Sequence, residues 1–142
     1  MVTASAEQIL GICSAGDSLG RRMRRGTITV QGPVGDLCGW EMLAGTILVL
    51  GAVGKHPGLD MKRGTIILAS AIENSFRGRT TFAKGIVSQS QTVAMIGAWL
   101  KQSGFKINIE DIDQRLIKAK FSQWHGDLNE GARGEIFVAA DL

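Results

Sequence analysis

The sequence predicts a mainly β fold: a right-handed parallel β-helix of 19-residue coils, about three and a half of them, followed by a C-terminal appendage of helix and strand. Two observations carry this expectation. Gly-Asp-Ser-Leu-Gly-Arg-Arg-Met-Arg-Arg-Gly-Thr-Ile (Gly16 to Ile28) returns at Gly35 to Ile47 and at Gly54 to Ile66, with a constant period of 19 residues. A fixed short period implies a stack of like units. The triplets beginning at Gly26, Gly45 and Gly64 each lead into a short apolar run, Ile28-Thr29-Val30, Ile47-Leu48-Val49 and Ile66-Ile67-Leu68. Such runs read as strands, and each unit is too short for a helix pair.

Stacked as neighbouring parallel strands, equivalent residues fall about 4.8 Å apart. Ile28, Ile47 and Ile66 then form one interior column and Val30, Val49 and Leu68 another, because side chains alternate along a strand. Met23, Met42 and Met61 recur in the frame and suit the space opposite, since an unbranched thioether adapts to a narrow core. The frame extends backwards: Gln8-Ile9-Leu10 aligns with Thr27-Ile28-Thr29, so the repeat opens on half a coil. Ile9 and Leu10 are therefore expected at a contact surface, where an open coil end favours an oligomer or a partner's strand.

Beyond Leu68 the frame decays. The expectation is a single domain over residues 1–142, with coils over 7–72 and a cap over 73–142. Ser88 to Ser103 reads as a helix presenting Val93, Ile96, Trp99 and Leu100, and Gly104 stops it. Ile109 to Lys118 suggests a second short helix, and Phe121 to Trp124 and Glu135 to Val138 suggest strands.

Composition bounds the function. The chain has 142 residues, 19 of them glycine, and a net charge of +3. No segment has the form of a leader or approaches the roughly 18 apolar residues of a membrane span, so a cytoplasmic protein without a membrane partner is expected. Cys13 and Cys38 occupy different repeat positions, which suggests neither a disulfide framework nor a metal knuckle. Nucleic-acid binding is disfavoured, because the charge is modest and no aromatic residues interleave with the arginines.

Candidate sites are few. Asp17 and Asp36 would stack, but an aspartate after a turn glycine ordinarily accepts a backbone N–H, with Lys55 completing the column. Cys38 and His56 lie one position off register, and two ligands make a poor zinc site. His125 has no acid or nucleophile near it in sequence. Lys55 after Gly54 does not make a phosphate loop, since the earlier glycine would fall at Val49. Arg21, Arg24 and Arg25, with Lys62 and Arg63 two coils on, form a basic stripe: a solvated rim, or a contact for an acidic partner or polyanion. Thr29, Leu48 and Ile67 form an outward column that grows more apolar, to be covered by the C-terminal helix or by a partner. Trp40 is either an interface anchor or core filling. No catalytic, cofactor-binding or metal-binding residue is assigned.

The tandem Gly-Asp-x-x-Gly-x-x-Met-x-x-Gly-Thr-Ile, the coil Val53 to Ile66 with its Lys55-His56-Pro57-Gly58, and the tail Trp124 to Ile136 resemble the C subunit of formylmethanofuran dehydrogenase. They equally resemble the corresponding subunit of the bacterial formyltransferase/hydrolase complex. Members of that family carry several more coils ahead of this point. The resemblance implies a non-catalytic structural subunit in one-carbon metabolism. Its partners would be an amidohydrolase-like subunit and either a formyltransferase or a molybdopterin subunit. Methanofuran, and a molybdenum or tungsten pterin, would be held by those partners. The glycine repeat alone is similar to the C-terminal domain of the large glutamate synthase subunit, which gives an alternative as the spacer module of an amidotransferase. A free-standing, polyanion-binding solenoid is the third reading.

Overall fold

The computed structural model describes residues 9–12, 16–69, 83–88, 93–96, 98, 120–128, 131 and 133–141. The repeat runs deliver strands where branched residues follow a glycine: β2 (Thr27–Val30), β3 (Thr46–Val49) and β4 (Arg63–Leu68). They are joined by β1 (Ile9–Ile12), β5 (Ala83–Ser88), β6 (Lys120–Gly126) and β7 (Arg133–Asp141). All belong to one seven-stranded sheet of order β1-β2-β3-β4-β7-β6-β5. β1 to β4 and β7 pair in parallel, whereas β6 and β5 add antiparallel.

This arrangement corrects the expected fold class. The right-handed parallel β-helix with an appended cap gives way to a mixed sheet in which the C-terminal segment supplies β5, β6 and β7. The reason lies in how little strand each repeat contains. β2 and β3 have 4 residues each, and the rest of their repeats is turn. The edge of β4 is then completed by a segment far along the chain. Arg133-Gly134-Glu135-Ile136 pairs with Arg63-Gly64-Thr65-Ile66 residue for residue. Of the helix expected over Ser88 to Ser103, residues 93–96 and 98 are helical, while Ser88 itself ends β5. The second expected helix, Ile109 to Lys118, lies outside the described residues.

The register also corrects the alignment of the first strand. β2, β3 and β4 pair at the 19-residue offset, Ile28 with Ile47 and Ile47 with Ile66. At β1 the frame slips by one, so that Leu10 rather than Ile9 stands opposite Ile28, and Ile12 opposite Val30. A one-residue slip exchanges the two faces of a strand. Here it brings aliphatic residues of β1 into line with the aliphatic columns of β2.

Among the described residues, β2, β3, β4 and β7 bury side chains on both faces of the sheet. One carries Ile28, Val30, Ile47, Val49, Ile66, Leu68, Ile136 and Val138, packed with Met23, Met42, Met61, Leu19, Cys38 and Trp124. The other carries Leu48, Ile67, Phe137, Ala139 and, from β6, Phe121, packed with Val93 of the helical segment and flanked by Leu50 and Ile96. Of the two coverings considered for the Leu48–Ile67 column, the chain supplies its own. Parallel strands buried on both faces are what such continuous apolar runs produce. Each fully buried aliphatic side chain contributes about 1.5–3 kcal/mol.

The methionines lock successive strands together. A Cβ on Gly45 would approach the Met23 Cε to 2.8 Å, one on Gly64 the Met42 Cε to 2.8 Å, and one on Gly134 the Met61 Cε to 2.6 Å. Each thioether methyl thus fills the space that the next strand's glycine leaves open, and Gly134 takes the place of a fourth repeat's glycine. The turns stack through hydrogen bonds too. Arg22 N–H donates to the Trp40 carbonyl at 3.0 Å and Glu41 N–H to that of Leu59 at 2.9 Å. At the end of this series Asp60 N–H donates instead to the Asp127 carboxylate at 2.9 Å, and Asp127 N–H donates to the Met61 carbonyl at 3.2 Å. Asp127 is buried, and its carboxylate stands where a further repeat would have placed a carbonyl.

Two outcomes are expected from these contacts. Gly45→Val should cost at least about 3 kcal/mol in chemical denaturation, because a β-branched residue at a φ of +98° is strained and meets Met23 and the Gly26 carbonyl. Asp127→Ala should cost about 1–3 kcal/mol by leaving Asp60 N–H without its acceptor, whereas Asp127→Asn, which keeps an acceptor oxygen, should lose less.

Candidate functional site

Among the described residues, an open polar cavity lies on the turns ahead of β2, β3 and β4. The left-handed backbone of Arg22, Glu41 and Asp60, with φ of 56°, 55° and 56°, sets these three residues at equivalent points of successive turns. Side chains there are aligned by the stack itself. Together with Arg24, Leu43 and Lys62 they line an open cavity of about 520 Å³. The cations Arg24 and Lys62 are exposed.

Inside this surface one carboxylate organises the nearest cations. Arg22 Nε donates to Glu41 Oε2 at 2.5 Å, and Arg21 Nε lies 3.8 Å from the same oxygen. The hydrogen bond from Arg22 holds the Glu41 carboxyl below its ordinary value, and the charges of Arg22, Arg21 and Lys62 act in the same direction against some desolvation. Arg21 also lies over the Trp40 ring, 4.1 Å from its centroid. Such stacking satisfies a planar guanidinium better than it would a lysine ammonium.

The residues singled out in the sequence separate into groups. Arg24 and Lys62 share the cavity with Arg22, while Arg25 and Arg63 are exposed beside it. Trp40 is half-buried under Arg21 rather than open. Leu48 and Ile67 are buried within the chain's second core cluster. Ile9 and Leu10 lie in β1 opposite Thr27 and Ile28. Arg22, Glu41, Asp60 and Arg133 went unselected. The signal for the first three was present in their 19-residue spacing, and for Arg133 in the Arg-Gly-x-Ile that it shares with Arg63.

The other candidates resolve into structure. Asp17 Oδ1 accepts the Asp36 N–H and Asp36 Oδ1 the Lys55 N–H, both at 2.7 Å, so the aspartate column holds turns together. Cys38 is buried, and desolvation pushes its thiol up to about 12, which keeps it protonated and unreactive. His56 and His125 are exposed. In the sheet, Thr65 Oγ1 and Gln123 Nε2 donate to the two oxygens of Glu135, each at 3.0 Å. Among the described residues no group of three or more His, Cys, Asp or Glu could hold a metal ion. None of the described helices is long and apolar enough to cross a membrane.

No family model matches the chain, and no curated protein does. Among solved structures, the X-ray crystal structure of the formyltransferase/hydrolase complex (FhcABCD) from Methylorubrum extorquens, in complex with methylofuran, contains a chain similar to this one. The two are 35% identical with a TM-score of 0.77 over 95% of this chain and 47% of that one. The present chain therefore spans about half the length of the chain that it matches.

The Arg22–Glu41 pair makes a prediction about pH. A carboxyl depressed in the folded state contributes stability above its unfolded value and loses it as pH falls through the folded one. The stability advantage of the wild type over Glu41→Gln should therefore be constant above about pH 5.5 and shrink as the pH falls below 4.5, the ordinary value for Glu41. Thermal melts of both proteins between pH 3 and 7 at low salt, about 20 mM, would measure it.

Proposed function

We propose that this chain is a non-catalytic structural subunit of a formyltransferase/hydrolase-type complex of one-carbon metabolism. The observation that carries the reading is the 35% identity and TM-score of 0.77 over 95% of the chain to a chain of that complex. The tail Trp124 to Ile136 is part of the likeness noted in the sequence, and in this structure it builds β6 and β7 into the sheet beside β4. A neighbour that contains transferase and hydrolase activities with methylofuran supports the hydrolytic type of complex over the dehydrogenase. In this reading the formyl group, carried on a methanofuran-type cofactor, is processed by amidohydrolase-like and formyltransferase partners. This chain supplies a rigid sheet and a row of aligned charged turns to hold them.

Affinity purification of the tagged chain from its source cells, followed by mass spectrometry, tests the proposal. Amidohydrolase-like and formyltransferase chains should co-purify in fixed proportion, and the isolated chain should not hydrolyse formyl-methylofuran. Turnover by the pure, metal-analysed chain, or recovery with glutamate synthase domains instead, would overturn the reading.

A further inference from the structure

Successive turns of the stack meet at one corner through the same set of bonds. Asp17 Oδ1 accepts the Asp36 N–H at 2.7 Å, the Ser18 N–H donates to the Asp36 carbonyl at 2.8 Å, and the Gly35 N–H donates to the Gly16 carbonyl at 3.3 Å. One turn on, Asp36 Oδ1 accepts the Lys55 N–H at 2.7 Å, Leu37 N–H donates to the Lys55 carbonyl at 2.9 Å, and Gly54 N–H to the Gly35 carbonyl at 3.2 Å. Glycine is there to make room. Gly35 and Gly54 have no positive φ, so conformation does not require them, but a Cβ on Gly35 would collide with Asp17 Oδ1 and one on Gly54 with Asp36 Oδ1. Gly16 holds the same repeat position, and a Cβ there meets nothing within 4 Å. Both Gly16 and Asp17 are exposed. Among the described residues nothing bonds to the Gly16 N–H, the Asp17 N–H or the Asp17 carbonyl, the three groups whose counterparts at Gly35 and Asp36 are all engaged.

We propose that this corner receives an aspartate-bearing turn of a partner polypeptide, of the Gly-Asp form that the chain itself repeats. The partner's carboxylate accepts the Asp17 N–H, the amide after it donates to the Asp17 carbonyl, and the carbonyl before it accepts the Gly16 N–H. A carboxylate is the strongest acceptor for such an amide. The acid of Asp17 does not oppose it, since that side chain is turned to the Asp36 N–H, just as Asp36 receives Asp17 while its own carboxylate faces Lys55. A second copy does not supply the turn. Among the described residues, Asp17, Asp36 and Asp127 are engaged within the chain, and the last turn carries Lys55 where the aspartate is required. The partner is therefore a different chain. This deepens the scaffold reading by specifying the chemistry of one contact, and its test uses the isolated chain, so a failure to recover partner subunits leaves it fully readable.

The experiment follows backbone amides of the isotope-labelled chain by NMR while a synthetic peptide of the sequence Gly35 to Ile47, with Cys38→Ser, is added. Salt of about 0.3 M screens attraction to the neighbouring arginines. The Asp17 amide should move downfield and gain protection from solvent exchange, as the Asp36 and Lys55 amides have without peptide. A peptide with Asp36→Ala should bind at least about tenfold more weakly, and one with Asp36→Asn, which keeps an acceptor oxygen, should fall between. Gly16→Val in the chain should melt within about 2 °C of the wild type, because its side chain meets nothing, yet bind the peptide at least about tenfold more weakly. Gly35→Val should melt well below both. Equal binding of the Asp36→Ala peptide, or equal binding by Gly16→Val, would overturn the proposal. So would a Gly16→Val protein that melts as low as Gly35→Val, or an Asp17 amide unmoved by about 1 mM peptide.

Discussion

The structure depends on how closely successive strands approach at the glycine ahead of each branched run. Met23, Met42 and Met61 reach into the room left by Gly45, Gly64 and Gly134, so every step of the parallel sheet is keyed to its neighbour by one thioether and one missing side chain. Nothing larger than hydrogen fits. Packing of this kind specifies register more sharply than hydrophobic burial alone, because burial tolerates a shift of two residues whereas the methionine does not. Once the register is set, Ile28, Ile47, Ile66 and Ile136 align on one face and Leu48, Ile67 and Phe137 on the other.

Much of this was legible in the sequence, and the remainder fails for identifiable reasons. The 19-residue period gave β2, β3 and β4, their register and the methionine column, since each rests on residues that recur in the same frame. It could not give β7 as the neighbour of β4. That pairing joins positions 70 residues apart, and only Arg-Gly-x-Ile survives of the motif. With the last strand unplaced, the repeats read as a closed stack ending in a cap, and the antiparallel β5 and β6 were left out of the sheet. The slip at β1 was hidden similarly, because Gln8-Ile9-Leu10 imitates Thr27-Ile28-Thr29 while pairing selects Leu10 and Ile12.

The charged turns show the same division between local and distant information. Among the stacked positions Arg22, Glu41 and Asp60, Glu41 compensates the charges of Arg22 and Arg21, and the Asp60 amide is held by Asp127. These groups serve the fold, and they account for much of the charge in the run around Met23. The exposed Arg63 is placed instead by strand register, opposite Arg133 in the β4–β7 pair. Among the described residues the ion pairs gather on Glu41, a difference that a count of basic residues along the sequence does not register.

The late arrival of β7 also bears on how the molecule is made. Parallel pairing between β4 and β7 joins segments 70 residues apart in the chain, so its closure is a slow, high-contact-order event. During synthesis β2, β3 and β4 can associate as soon as each emerges, and β4 then waits as an unpaired edge carrying Ile66, Ile67 and Leu68. That interval is the one in which the nascent chain is most exposed to association with another copy of itself. Arrival of Asp127 and Gly134, which fit only the end of the methionine series, closes the edge to further growth of the parallel stack.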